Sequence, residues 1–391
     1  MRREWDAIVI GLGGIGSAAA YWLAKRRGDR VLGLERFELG HDRGASQDHS
    51  RIIRLSYHRP DYVRLARRAY VTWAEVEAEA GVQIVTRTGG LDLFPPAAAI
   101  ADADYAASMT AEAVPFERLD ARETMRRFPA WLLDDGTVAL FQADAGIADP
   151  NRANAAHQRL ARAHGATLIE HAPATALDDA AGELVVTTAD GGRHAAGQVV
   201  IAADAWTNDL LASFERRLPL TVTREQVTYF QAPQPDAFAS DRFPVWIWMD
   251  APCFYGFPTY GEPGPKAAQD VGGRETTADG RDFEPDPLAL ARLTAFLDRH
   301  LPGMSRRPLL TKTCLYTLTP DRDFVVDRVP DHPGVSVLLG AAHGFKFASV
   351  LGRIAAELAI DGMTPSAPEL AAFAIHRPIL LEADPPRTFL C

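Results

Sequence analysis

Gly11, Gly13 and Gly16 stand in the spacing G-x-G-x-x-G, and Glu35 closes the next apolar run about 20 residues further on. Residues of these types, so spaced, can hold a dinucleotide. The first glycine makes a tight turn, the second lets backbone approach a pyrophosphate, and the third lets a helix pack close on a strand. A carboxylate at Glu35 accepts hydrogen bonds from a ribose diol and repels a 2′-phosphate, which disfavours NADP. The glycines alone do not separate NAD from FAD. The segment that follows favours FAD. Gly44-Ala45-Ser46-Gln47 is turn-forming. Ser50-Arg51-Ile52-Ile53-Arg54 then supplies a Ser/Arg cluster suited to binding an anion near the cofactor.

These groups need a scaffold. Ala7–Ile10 is a short apolar run of the kind buried on both faces of a parallel sheet. Ser17–Arg27 reads as helix with Gly28 as its stop, and Val31–Leu34 as the second strand. Further helices are expected at Tyr62–Glu79, Asn151–His164 and Pro287–His300. Strands are expected at 167–169, 183–188, 199–201, 222–231 and 245–249. Pro- and Gly-rich stretches around Glu262–Pro265 and Gly272-Gly273 read as loops, with Lys266 in the first. The expected fold class is α/β (α+β overall), a Rossmann-like FAD-binding domain with a second, mainly antiparallel β-sheet substrate domain. The first would be discontinuous, over 1–82, 145–217 and 325–391, and the second would take 83–144 and 218–324.

Bulk properties narrow the class. At 391 residues the chain exceeds what one core usually supports. A net charge of −10 argues against nucleic-acid partners. No uninterrupted apolar run reaches the ~18 residues needed to span a bilayer, and the N-terminus lacks a signal-peptide layout. Cys253, Cys314 and Cys391 are too scattered for a disulfide framework or a zinc site, so no metal is expected. A cytoplasmic enzyme follows from these features.

Two later segments complete the picture. One is Cys314-Leu315-Tyr316-Thr317, with Asp323-Phe324-Val325-Val326-Asp327 behind it, and the other is His343-Gly344-Phe345-Lys346-Phe347. With the glycine motif, the Ser50–Arg54 segment, Thr86–Leu91, Asp144–Gly146 and Phe254–Pro258, the chain resembles the monomeric sarcosine oxidase and N-methyltryptophan oxidase family of FAD-dependent amine oxidases. The resemblance runs through nearly the whole chain. It implies FAD joined through the sulfur of Cys314, and a small amino-acid substrate whose carboxylate is held by Arg54 and Lys346. Arginine offers a bidentate fork and lysine a point charge. It further implies that Arg51 lies over the flavin ring, that Lys266 activates O2, and that Tyr255 and Tyr316 wall the pocket. Cofactor contacts fall to Gly14 and Ile15 in the glycine loop, to Arg36 beside Glu35, and to Ser46 and Ser50. Gly344 and Phe345, next to Lys346, complete that set. The implied reaction oxidises a secondary amine to an imine with release of H2O2, in a monomer. A flavin dehydrogenase passing electrons to another acceptor is the alternative.

Three positions depart from the family's pattern. Asp270 replaces a usual histidine, Asp204 stands where glycine is usual, and Trp246 falls near a pocket position. They leave the substrate open among sarcosine, larger N-methyl amino acids, cyclic imino acids and biosynthetic secondary amines. A tryptophan at 246 or 248 either closes the pocket or packs behind the sheet.

Overall fold

The computed structural model describes residues 4–180, 183–304 and 307–388. Ala7 to Ile10 is apolar throughout because its strand, Trp5–Ile10, is covered on both sides. Ala7 and Val9 enter one core cluster and Ile8 and Ile10 another, the two-residue alternation of extended chain. Val31–Leu34 and Arg193–Ile201 flank it in parallel register. Thr167–Ile169 and His332–Leu339 extend the parallel set on either side. Glu183–Thr188, Ala174–Ala180 and Val325–Val329 complete the sheet as antiparallel additions.

Helix Gly14–Arg27 packs against helices Pro150–Ala163 and Ala348–Asp361 on one face of this sheet. It starts three residues before the expected Ser17, because the glycine loop turns directly into it. Close approach explains two of the glycines involved. A Cβ on Gly16 would lie 1.8 Å from the Gly11 carbonyl oxygen. One on Gly352 would lie 2.5 Å from Ala18 and 2.6 Å from the Ala19 nitrogen, where the two helices cross.

The second sheet runs Arg274–Glu275, Thr221–Phe230, Lys266–Asp270, Cys253–Phe257, Val245–Trp248, Gly90–Phe94, Val138–Gln142, Glu117–Asp120, with Pro308–Leu318 on the other side of Thr221–Phe230. All its pairings are antiparallel except Val245–Trp248 with Gly90–Phe94. A small third sheet joins Arg51–Ile53 and Val85–Arg87 to Gly146–Ala148. The structure is thus the mixed α/β arrangement expected, with a mainly antiparallel second sheet.

Two local alternatives are decided by the structure. Lys266 opens a strand rather than lying in a loop, and it is 1% exposed. Pairing of Lys266 with Phe257 and Tyr229 extends the sheet up to the Pro-Gly-Pro turn. Trp246 is fully buried, edge-on to Trp131 and stacked on Phe296, and Trp248 meets the same Phe296. Gly256 opposite leaves room for the Trp246 ring, which a Cβ would meet at 2.5 Å. Packing behind the sheet is the outcome for both tryptophans. Among the described residues no helix is long and apolar enough to cross a membrane.

The crossing of the first and last long helices gives a test. Gly352→Ala should destabilise the protein by about 1–3 kcal/mol, the usual range for overpacking a tight contact. Chemical denaturation of the two proteins side by side measures this, and an unchanged midpoint would refute the close-packing account.

Candidate active site

One cavity of about 340 Å³ takes its lining from both large sheets. At one end lie Gly11, Leu12, Gly13, Gly14 and Ile15 with Glu35 and Arg36; at the other lie Arg54, Tyr255, Tyr316 and Lys346. The groups singled out at opposite ends of the chain therefore share one space.

The glycine end fits a dinucleotide on its own features. Gly11 adopts φ +86, open to glycine and costly for other residues. Helix Gly14–Arg27 has Gly13 as N-cap, no side-chain cap and no acid in its first turn. Its N–H groups and dipole are therefore presented to an anion such as a phosphate. Ser46 Oγ accepts from Gly14 N at 3.0 Å. Glu35 is 4% exposed and accepts from Leu12 N at 2.7 Å and Phe37 N at 3.1 Å. Burial would raise its carboxyl, but His41 and these N–H groups hold it below its ordinary range. The Arg36 guanidinium lies 5.5 Å from the Trp206 ring centre, an apolar-faced niche beside the ribose acid. Asn154 Oδ1 and Asp204 Oδ2, both on lining residues, are buried acceptors without a partner among the described residues. They suit hydroxyl donors of the kind a ribityl chain supplies. Gly344 and Phe345 line the same end, and a Cβ on Gly14 would run into the Phe345 ring at 2.7 Å.

The other end is rich in cations. Arg51 is pinned by the carbonyls of Ser50, Ala45 and Gln47 at 2.8–2.9 Å, so its guanidinium is fixed without a carboxylate. Arg54 pairs with Asp92 at 2.5 Å and lies over Tyr57 at 5.0 Å. Its Nε is buried with no acceptor. Burial opposes its charge, and Asp92 more than restores it. Lys346 has no carboxylate within ion-pair distance among the described residues, and its ammonium stands 5.8 Å from the Tyr57 ring centre. Burial first, then the neighbouring Arg54, lower Lys346 to about 7. Tyr255 and Tyr316 face each other with hydroxyls 3.4 Å apart. Burial raises both phenols, so both are neutral hydroxyls.

Some expected residues stand behind the wall. Cys314 and Lys266 are buried but do not line the cavity. Cys314 sits two residues from lining Tyr316, and Leu315 N donates to the carbonyl of lining Gly44. Burial raises its thiol to about 11, with Arg51 acting against that. Lys266 Nζ lies 4.3 Å from the ring centre of lining Phe257 and donates to the Ser50 carbonyl at 3.0 Å. Ser50 and Gly16 are also off the cavity surface. Cys253, for which no disulfide was expected, lines the cavity and is disulfide-bonded, while Cys391 lies outside the described residues.

The departures acquire partners. Asp270 lines the cavity and accepts from Arg322 Nη1 at 2.6 Å. Asp204 has φ +45, the left-handed conformation that explains why glycine suits this position, and burial raises its carboxyl to about 6. His343 donates from Nε2 to the Arg322 carbonyl at 2.8 Å, and burial keeps its ring neutral. Asp48, Asp92 and Arg322 were not anticipated. Asp92 alone carried a signal, as the acid that interrupts Leu91-Asp92-Leu93-Phe94. Asp48 and Arg322 carried none, because their partners are remote in sequence.

Comparison with known proteins gives the family. The family described as FAD dependent oxidoreductase matches residues 6–358. The monomeric sarcosine oxidase of Streptomyces avermitilis is 38% identical over 372 residues, 93% of this chain and 96% of that protein. The N-methyl-L-tryptophan oxidase of Salmonella arizonae is 32% identical over 380 residues, 96% and 99% respectively. Among solved structures, the open form of NikD, an unusual amino acid oxidase essential for nikkomycin biosynthesis, superposes with TM-score 0.84 at 30% identity, covering 95% of this chain and 97% of that one. The chain belongs to the family of FAD-dependent oxidoreductases.

Proposed function

We propose that this protein oxidises N-methyl or other secondary amino acids to imines, carries its FAD on Cys314, and passes electrons to O2 to form H2O2. The observation that supports it best is the pairing of Arg54 and Lys346 in the cavity that the glycine loop enters. FAD, when bound, supplies the acceptor for a hydride from the carbon attached to nitrogen. The chain's part is placement and field. Arg54, fixed by Asp92, offers an orienting fork for a carboxylate, and Lys346 adds a charge that the anion itself would stabilise. Tyr255 and Tyr316 are neutral walls, so the amine must reach the site already deprotonated or lose its proton to solvent. Lys266 supplies positive charge for O2 reduction; at ~4 Å and an effective dielectric of ~20 a unit charge is worth about 4 kcal/mol. The Asp270–Arg322 pair gives the pocket a polar wall.

Anaerobic mixing with a panel of N-methyl and cyclic amino acids should bleach the flavin, and aerobic turnover should yield one H2O2 per substrate. No bleaching by any of them, or turnover without peroxide, would overturn the assignment.

Two further outcomes follow from the titrations. Lys346 is charged below about 7 and neutral above it. The Kd for acetate, read from flavin absorbance, should therefore rise with pH, by up to roughly tenfold per unit above that point. In Lys346→Met this dependence should vanish. The Cys314 thiol, at about 11, must ionise before it attacks. Flavin-free protein given FAD should gain covalent mass faster at pH 9 than at pH 7, and Cys314→Ser should leave all flavin extractable by acid.

A further inference from the structure

A lysine that is 1% exposed needs something to hold it. For Lys266 that is Asp48. Asp48 Oδ2 accepts from Nζ at 2.9 Å, and the Ser50 carbonyl accepts at 3.0 Å. The other Asp48 oxygen accepts from the Tyr229 hydroxyl at 2.8 Å and from Lys312 Nζ at 3.0 Å. Lys312 is half-buried and also reaches Glu262 at 2.8 Å. Asp48 makes these contacts from a backbone φ of +83, a left-handed conformation that few residues other than glycine adopt. Its carboxylate is thus shared between one deeply buried cation and one near the surface.

Resting on the assignment of Lys266 to O2 chemistry, we propose that Asp48 is a positioning residue that holds Lys266 in place as an ammonium beside Phe257, and that Lys312 tunes this hold by competing for the same carboxylate. The charges facing Lys266 make the directions definite. Burial pushes it down, to about 8, and Arg51 pushes the same way, while Asp48 and the nearby Cys314 oppose them. Tyr229 is a neutral donor to Asp48, its phenol raised by burial. Without the Asp48 charge, burial and Arg51 act unopposed by any carboxylate in contact. Without Lys312, Asp48 serves Lys266 alone and a like charge is gone. The two changes should act in opposite senses.

The test uses the holoenzyme and reads ionisation apart from turnover. Lysine labelled with carbon-13 at Cε gives an NMR titration in the oxidised protein, with the Lys266 signal assigned by its loss in Lys266→Met. Asp48→Asn, nearly isosteric and tolerant of the same backbone conformation, should lower the midpoint by about one unit or more, a tenfold change in the charged-to-neutral ratio. Stopped flow should show reoxidation by O2 falling off at correspondingly lower pH, with anaerobic reduction by substrate changed far less. Lys312→Met should raise the midpoint and extend O2 reactivity to higher pH. Unchanged midpoints and reoxidation profiles in both variants would overturn the role of Asp48, while slow reoxidation in Lys266→Met would leave the lysine assignment standing. Rapid reoxidation in Lys266→Met would sink both. Should Asp48→Asn fail to fold, an unmoved midpoint in Lys312→Met is enough to overturn the proposal.

Discussion

A half-buried positive charge at Lys346, with no carboxylate in ion-pair contact among the described residues, is the constraint around which the cavity is arranged. Arg54 answers to Asp92, Arg322 to Asp270 and Lys266 to Asp48, each over 2.5–2.9 Å. Lys346 answers to none of the described residues, and desolvation lowers its affinity for a proton. We read an ammonium in that state as suited to an anion, because the ligand would supply the missing charge.

The fold meets that constraint by drawing on remote parts of the chain. Arg54 follows the short strand Arg51–Ile53, Asp92 belongs to the second large sheet, and Lys346 lies in the turn before helix Ala348–Asp361. Trp73 Nε1 donates to the Lys346 carbonyl at 2.8 Å, tying that turn to the long helix Pro60–Ala80. The same turn carries Phe345, whose ring meets Gly14 in the glycine loop. The proposed carboxylate-holding lysine and a wall of the glycine-loop end are therefore carried by one turn.

Much of this could be read in the chain. Helix Pro287–His300 has its expected ends, and Pro150–Ala163 and Thr221–Phe230 fall within a residue of theirs, because caps and alternation are local signals. Arg54 and Lys346 could be named from their motifs. What could not be read was which carboxylate answers which cation. Asp48 and Lys266 are 218 residues apart, and Arg54 and Asp92 38 apart, so only tertiary structure pairs them. Trp246 shows a second limit. Strand alternation assigns it a face but not which face looks into the cavity, and it is the intervening Ile247, opposite Tyr255, that does. Lys266 shows a third, since a Pro-Gly-Pro turn beside it masked the strand that follows.

The contact between Phe345 and Gly14 bears on when the pocket can close. The two residues are remote in sequence, so this wall of the cavity exists only once the turn Gly344–Phe347 and the neighbouring strand His332–Leu339 have taken their places in the tertiary fold. The first strand, glycine loop and helix taken by themselves are therefore an unfinished enclosure, and the wall that Phe345 supplies is a long-range contact.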